Sequence, residues 1–152
     1  MAEVLAAILW LIPSMPEKRA EYYAQLIYQT SARYEIRPLL VVAETYVESR
    51  FNRKAYAKKN YGLMQVRVSK SVHAKLLGRE YVLYDPRRNI YAGVAMLSYW
   101  KGYHFRRCRN KPPHPWWSHY QWGKRVKNAR SGLKVKKLYL ELEARFGTRG
   151  TS

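Results

Sequence analysis

The stretch Val42–Val66, VAETYVESRFNRKAYAKKNYGLMQV, decides how this chain is read. Its first part is helical: Leu40, Ala43, Val47 and Phe51 recur at the spacing of one helix face, and Pro38 marks where such a helix begins. From Asn52 to Tyr61 the pattern dissolves into NRKAYAKKNY, which predicts a loop with room for a short hairpin. Glu48 stands at the junction. A glutamate at the end of a helix is pushed toward its neutral form by the free carbonyls there. Glu44, four residues earlier on the same face, pushes the same way if ionised, while the many cations of the chain push back. Glu48 is therefore a candidate proton donor, and the plain alternative is a solvated acid on a helix surface.

Outward from that stretch, the chain has 152 residues, of which 47% are hydrophobic, enough to fold as a single domain over 1–152. Its 29 Lys and Arg against 10 Asp and Glu give a net charge of +19. Such a surface seeks polyanions: nucleic acid, an anionic lipid or lipopolysaccharide surface, or a cell wall. The single cysteine, Cys108, excludes an internal disulfide. The uncharged run Val4–Ser14 is too short to span a bilayer, and Glu3 replaces the basic start of a secretory signal. A buried helix over about Ala2–Leu11 is expected, with a membrane-active or export segment as the alternative. Ser14, Pro16 and Glu17 together predict a helix start, with Ser14 as the cap. Further helices are expected over about Ser69–Leu77, after Asp85-Pro86 with Ile90, Val94 and Leu97 inward, and in the two closing segments SHYQWGKRVKN and LKVKKLYLELEARF. The Pro-rich RCRNKPPHPWW reads as a long loop, and the whole as mainly α.

Four motifs follow one another: VESRFN, YGLMQV, DPRRNIYAGVAML and HYQWGKRV, the last before a basic closing helix. In this order and spacing, over about Ile36 to Leu142, the chain resembles the soluble-type lytic transglycosylases of the lysozyme-like superfamily. The resemblance implies an α+β lysozyme-like fold, a helical bundle around a catalytic helix with a short hairpin or loop roofing the cleft. It makes Glu48 the catalytic acid and later the base, with the Tyr120 hydroxyl pointed at it. Ser49 would help hold the carboxylate or the substrate. Met64 and Gln65 would line the saccharide cleft, Gln65 bonding an N-acetylated sugar, and Gly62 would let backbone approach closely. Asn89 and Ile90 belong to a largely structural motif. The family's Tyr-Asn pair stands here as Tyr120-Gln121, so Gln121 takes the place of an asparagine, and the segment between Asn52 and Gly62 is short and unusually basic. Tyr56 and Tyr61 flank the presumed cleft and are candidates to contact sugar.

Most glycosidases set two acids across the scissile bond. The segment Asn52–Tyr61 holds no acid, Asp85 reads as a helix-start residue before Pro86, and Glu44 shares a helix with Glu48. A single acid suits the reaction the resemblance implies, cleavage between N-acetylmuramic acid and N-acetylglucosamine with closure of a 1,6-anhydro ring. Hydrolysis by Glu48 and a positioned water is the alternative. No cofactor is expected. Cys108, His114 and His119 invite a metal reading, but their spacing contains no tight ligand pair, so no metal is expected either. The expected partners are peptidoglycan strands and an anionic outer-membrane or lipopolysaccharide surface, with no specific nucleic acid, and the chain is expected to be a monomer. The compact size and the missing leader and anchor predict a phage endolysin, made in the host cytoplasm and acting on the wall in the periplasm. Competing classes are a nucleic-acid module whose aromatics stack bases and an inactive wall-binding protein.

Overall fold

The computed structural model describes residues 1–67, 80–108, 114–126 and 132–147. Helix α1, Ala2–Leu11, buries Val4, Ala7 and Ile8, so the apolar N-terminal run is core. Helix α2, Glu17–Tyr34, buries Ala20, Tyr23, Ala24, Ile27 and Ser31, the stripe expected of an amphipathic helix. Its cap is Pro16 and not the expected Ser14, with no side-chain bond. The fixed φ of proline starts the helix where a hydroxyl was predicted to.

Glu35, in the left-handed region, ends α2, and Arg37 is extended ahead of Pro38, as the residue before a proline prefers. Helix α3, Pro38–Ser49, has proline in its first turn, where a missing N–H costs nothing. Its run Leu39–Thr45 is buried on every side. This is a central helix, not the one-faced helix the spacing predicts: α1, α2 and the closing helix α6 (Leu133–Phe146) all pack on it. Helix α6 buries Val135 and Leu142 and makes a two-point ion pair, Arg37 to Glu143, at 3.0 and 3.3 Å.

Arg50 and Phe51 both take left-handed backbone, with φ of 51° and 59°, and turn the chain sharply out of α3. Burial of the Phe51 ring, stacked on Tyr23 at 6.0 Å, offsets that strain. The hairpin follows: β1 (Tyr56–Ala57), β2 (Asn60–Tyr61) and β3 (Val66–Arg67) form an antiparallel sheet in that order. Lys58 and Lys59 both have positive φ, the two-residue turn whose twist matches paired strands. The expected helix over Ser69–Leu77 lies outside the described residues. A 3-10 turn at Glu80–Tyr84, not foreseen, leads into α4, Pro86–Arg107, where the Asp85 carboxylate accepts the Arg88 N–H at 3.0 Å. Helix α5, Ser118–Trp122, is a short piece followed by a 3-10 turn at Gly123–Arg125.

One hydrophobic cluster runs from Val4 through α2, α3, the loop at Leu63–Met64 and α4 to Leu142. The architecture is mainly α with one small sheet. Among the described residues no helix is long and apolar enough to cross a membrane.

Candidate active site

Glu48 lies in the last turn of α3, half-buried, where the central helix gives way to the hairpin. Burial pushes its carboxyl up to about 7, opposed in part by a hydrogen bond from Gln121. The Gln121 amide donates to Glu48 Oε1 at 3.2 Å. Burial, rather than the helix end or the charge of Glu44, is thus what raises this carboxyl. One turn deeper, Glu44 is fully buried and neither carboxylate oxygen has a hydrogen-bond partner among the described residues. Its carboxyl is pushed well above the usual range, first by burial and second by Glu48. Burial in the core thus favours the neutral form of Glu44, which makes it a poor candidate for a second, ionised carboxylate.

The loop beside Glu48 is held by Asn89, which is buried on α4 and uses its whole side-chain amide. Oδ1 accepts the Met64 N–H at 2.7 Å, and Nδ2 donates to the carbonyls of Tyr61 and Leu83 at 2.7 and 2.8 Å. Gly62, at φ 72°, runs so close that a Cβ there would collide with the Asn89 amide and the Leu83 carbonyl. The expected close approach at Gly62 is real, but the group that approaches is Asn89 and not a sugar. Met64 is fully buried against Gly93, so it fills the core rather than lining a cleft.

Two other expectations change in the same way. The Ser49 hydroxyl donates to the Leu63 carbonyl at 2.6 Å and ties the helix end to the loop; it does not hold the Glu48 carboxylate. Gln65, strained at φ 48°, donates its side-chain amide to the carbonyls of Ala55 and Gly62 at 3.1 and 3.0 Å, so those donors brace the hairpin. The Tyr120 hydroxyl donates to the Met64 carbonyl at 2.7 Å. Its ring lies near both glutamates, which, after burial, push its phenol further up and keep it protonated. The group that contacts Glu48 is Gln121, at the position where the sequence departs from the resemblance. Tyr61 is buried beneath Tyr56, their rings 5.1 Å apart, and Tyr56 is the exposed aromatic at 58%. Of the two tyrosines, Tyr56 presents a face that a sugar can reach.

The sequence reading left Asn89 with a vague structural role, and its three bonds into one loop could be found only from the fold. It also placed Glu44 on the same face as Glu48 without foreseeing its burial. The signal to the contrary was present, since Glu44 sits inside an otherwise apolar run, LLVVAETYV.

Comparison with known proteins bears on the same residues. Residues 25–109 match the Transglycosylase SLT domain, a span that includes Glu48, the Gly62–Gln65 loop and Asn89. The chain is similar to the membrane-bound lytic murein transglycosylase C of Yersinia pestis (strain Pestoides F) and of Yersinia pseudotuberculosis serotype O:1b (strain IP 31758). Each is 40% identical over 98 residues, covering 58% of this chain and 27% of the relative. The chain therefore matches about a quarter of the length of those relatives. The family match spans more than half of the chain, and with the mainly α lysozyme-like architecture it identifies this protein as a member of the SLT transglycosylase domain family.

Proposed function

We propose that this protein is a peptidoglycan lytic transglycosylase in which Glu48 serves as both acid and base. The observation that carries the reading is a single half-buried carboxyl raised to about 7, facing a hairpin segment, Asn52–Tyr61, that contains no acid. A pair of ionised carboxylates across the sugar is what a two-carboxylate glycosidase needs. Protonated Glu48 donates its proton to the oxygen linking N-acetylmuramic acid C1 to N-acetylglucosamine. The C1–O bond breaks, the leaving sugar departs as an alcohol, and the substrate's own acetamido oxygen bonds to C1. Glu48, now a carboxylate, takes the proton of the muramic 6-hydroxyl. O6 then displaces the acetamido oxygen at C1. A 1,6-anhydro ring closes, Glu48 is again protonated, and no water is consumed.

Gln121 would steady the carboxylate between the two proton transfers, since its bond favours the charged form. Tyr56 would offer a stacking face. Ser49, Gly62, Met64, Gln65, Tyr61 and Tyr120 would act by holding the Glu48 end of α3, the loop and α5 in register. The substrate is the glycan of the wall in the periplasm, and the net charge of +19 favours an anionic envelope, including a lipopolysaccharide surface. We keep the monomer as the working state. The matched relatives are bacterial proteins, and nothing in them supports a phage origin.

Mass spectrometry of fragments released from purified peptidoglycan tests this reading, with Glu48→Gln in parallel. Products lighter by one water than hydrolytic fragments, absent with the variant, are the expected result. Reducing-end products lost in the variant would make the enzyme a hydrolase at the same site. Release that survives in Glu48→Gln would remove Glu48 from the mechanism.

A further inference from the structure

Away from Glu48, the fold gathers four side chains that the proposed reaction does not use. His104 and Cys108 lie one turn apart at the end of α4, His119 is on α5, and His114 precedes it. One potential ligand atom from each lies within 4.8 Å of all the others. His119 Nε2 is 3.4 Å from His104 Nδ1, 3.2 Å from His114 Nε2 and 3.6 Å from Cys108 Sγ. A tetrahedral zinc ion with ordinary bond lengths sets nitrogen–nitrogen edges of about 3.4 Å and nitrogen–sulfur edges of about 3.6 Å. The three edges at His119 already have those lengths.

We propose that His104, Cys108, His114 and His119 form a structural zinc site joining the end of α4 to α5. The sequence expectation of no metal weighed only Cys108, His114 and His119. The fold adds His104, and His104 with Cys108 is the one-turn ligand pair whose absence argued against a metal.

The surroundings fit the role. His119 Nδ1 is 2.6 Å from the Gly123 carbonyl, so Nδ1 carries the hydrogen and Nε2 presents its lone pair to the cluster. A single in-plane lone pair cannot serve three donors, whereas one cation can be served by all four groups. Trp100 stacks on the His119 ring at 5.6 Å and Tyr103 meets it edge-on at 5.4 Å, which fixes the ring's orientation. Cys108 and His119 are buried, as suits a closed site. Imidazoles with a thiolate select zinc over calcium or magnesium, which take oxygen ligands. Four protein ligands leave no open position, so the ion would act by holding structure. What it holds is functional: His119 is followed directly by Tyr120, bonded to the Met64 carbonyl, and Gln121, bonded to Glu48.

The test uses the full chain without a histidine tag, kept reduced. It combines elemental analysis of the purified protein with cobalt(II) loading after chelation. One zinc per chain is expected. The cobalt form should show the intense visible bands of a tetrahedral site and a near-ultraviolet thiolate-to-cobalt band. Cys108→Ser should lose the thiolate band, and His119→Ala should lose stoichiometric binding. Wild-type protein that retains no zinc above the level of His119→Ala, or that gives a weak octahedral cobalt spectrum without the thiolate band, would overturn the proposal. The wild-type spectrum decides alone if either variant fails to fold.

Discussion

Around Asn89, three bonds from one buried amide knit the loop to α4, and the Met64, Tyr61 and Leu83 backbone groups are all answered. Around Glu44, on α3, two buried oxygens have no hydrogen-bond partner among the described residues. The two regions teach how this site is built. The first is rigid and carries the hairpin; the second sacrifices stability, one turn beneath Glu48, by keeping a second carboxyl out of water. Burial favours the neutral form of Glu44, and at Glu48 burial raises the carboxyl while the Gln121 hydrogen bond opposes it.

The largest effect expected from breaking this arrangement is at Glu48. Glu48→Gln preserves shape and removes the transferable proton, and should lower glycan cleavage by about a thousandfold or more with an unchanged circular dichroism spectrum. A loss under about tenfold would mean that another group supplies the proton. Next is the hub. Asn89→Ala removes the bonds to the Met64 N–H and to the Tyr61 and Leu83 carbonyls and should cost about 3–5 kcal/mol in urea denaturation. A cost below about 1 kcal/mol would show that the loop holds itself.

The opposite sign is expected at the second region. Glu44→Met replaces an unpaired acid with apolar volume and should raise stability at pH 7 by about 1–3 kcal/mol. Because the folded Glu44 carboxyl lies above its unfolded value of 4.5, its contribution is fully present below that pH and fades as pH rises. The gain from Glu44→Met should therefore shrink toward pH 4, and a gain equal at both pH values would contradict a buried neutral acid. The smallest effect is at Gln121. Its bond favours ionised Glu48, so Gln121→Ala should move the alkaline fall of kcat/KM to higher pH. That fall lies near pH 7 in the wild type, where Glu48 loses its proton. An unmoved profile would detach Gln121 from Glu48.

Much of this was legible in residues. Proline at 38 and at 86, the apolar spacing in α2 and α4, and Asp85 before Pro86 declare their helices by local rules that the fold obeys. Glu48 was found because motif order singled it out. The backbone partners of Ser49, Gly62, Met64, Gln65 and Tyr120 were not legible, because motif spacing says which residues belong together but not which partners they find. Ser49 meets Leu63 across fourteen residues and Tyr120 meets Met64 across fifty-six, and such pairings exist only once the chain has folded. The histidine cluster escaped for the same reason: His104 and His119 are fifteen residues apart and on different helices.

The most direct test of the central claim, that the fold makes Glu48 a proton donor at neutral pH, is a carbon-13 NMR titration of the glutamate side-chain carboxyls, with Glu48→Gln used for assignment. The account predicts a Glu48 midpoint near 7, with Glu44 also titrating well above the usual carboxylate range. A Glu48 midpoint near 4.5, the value of a solvated glutamate, would contradict it.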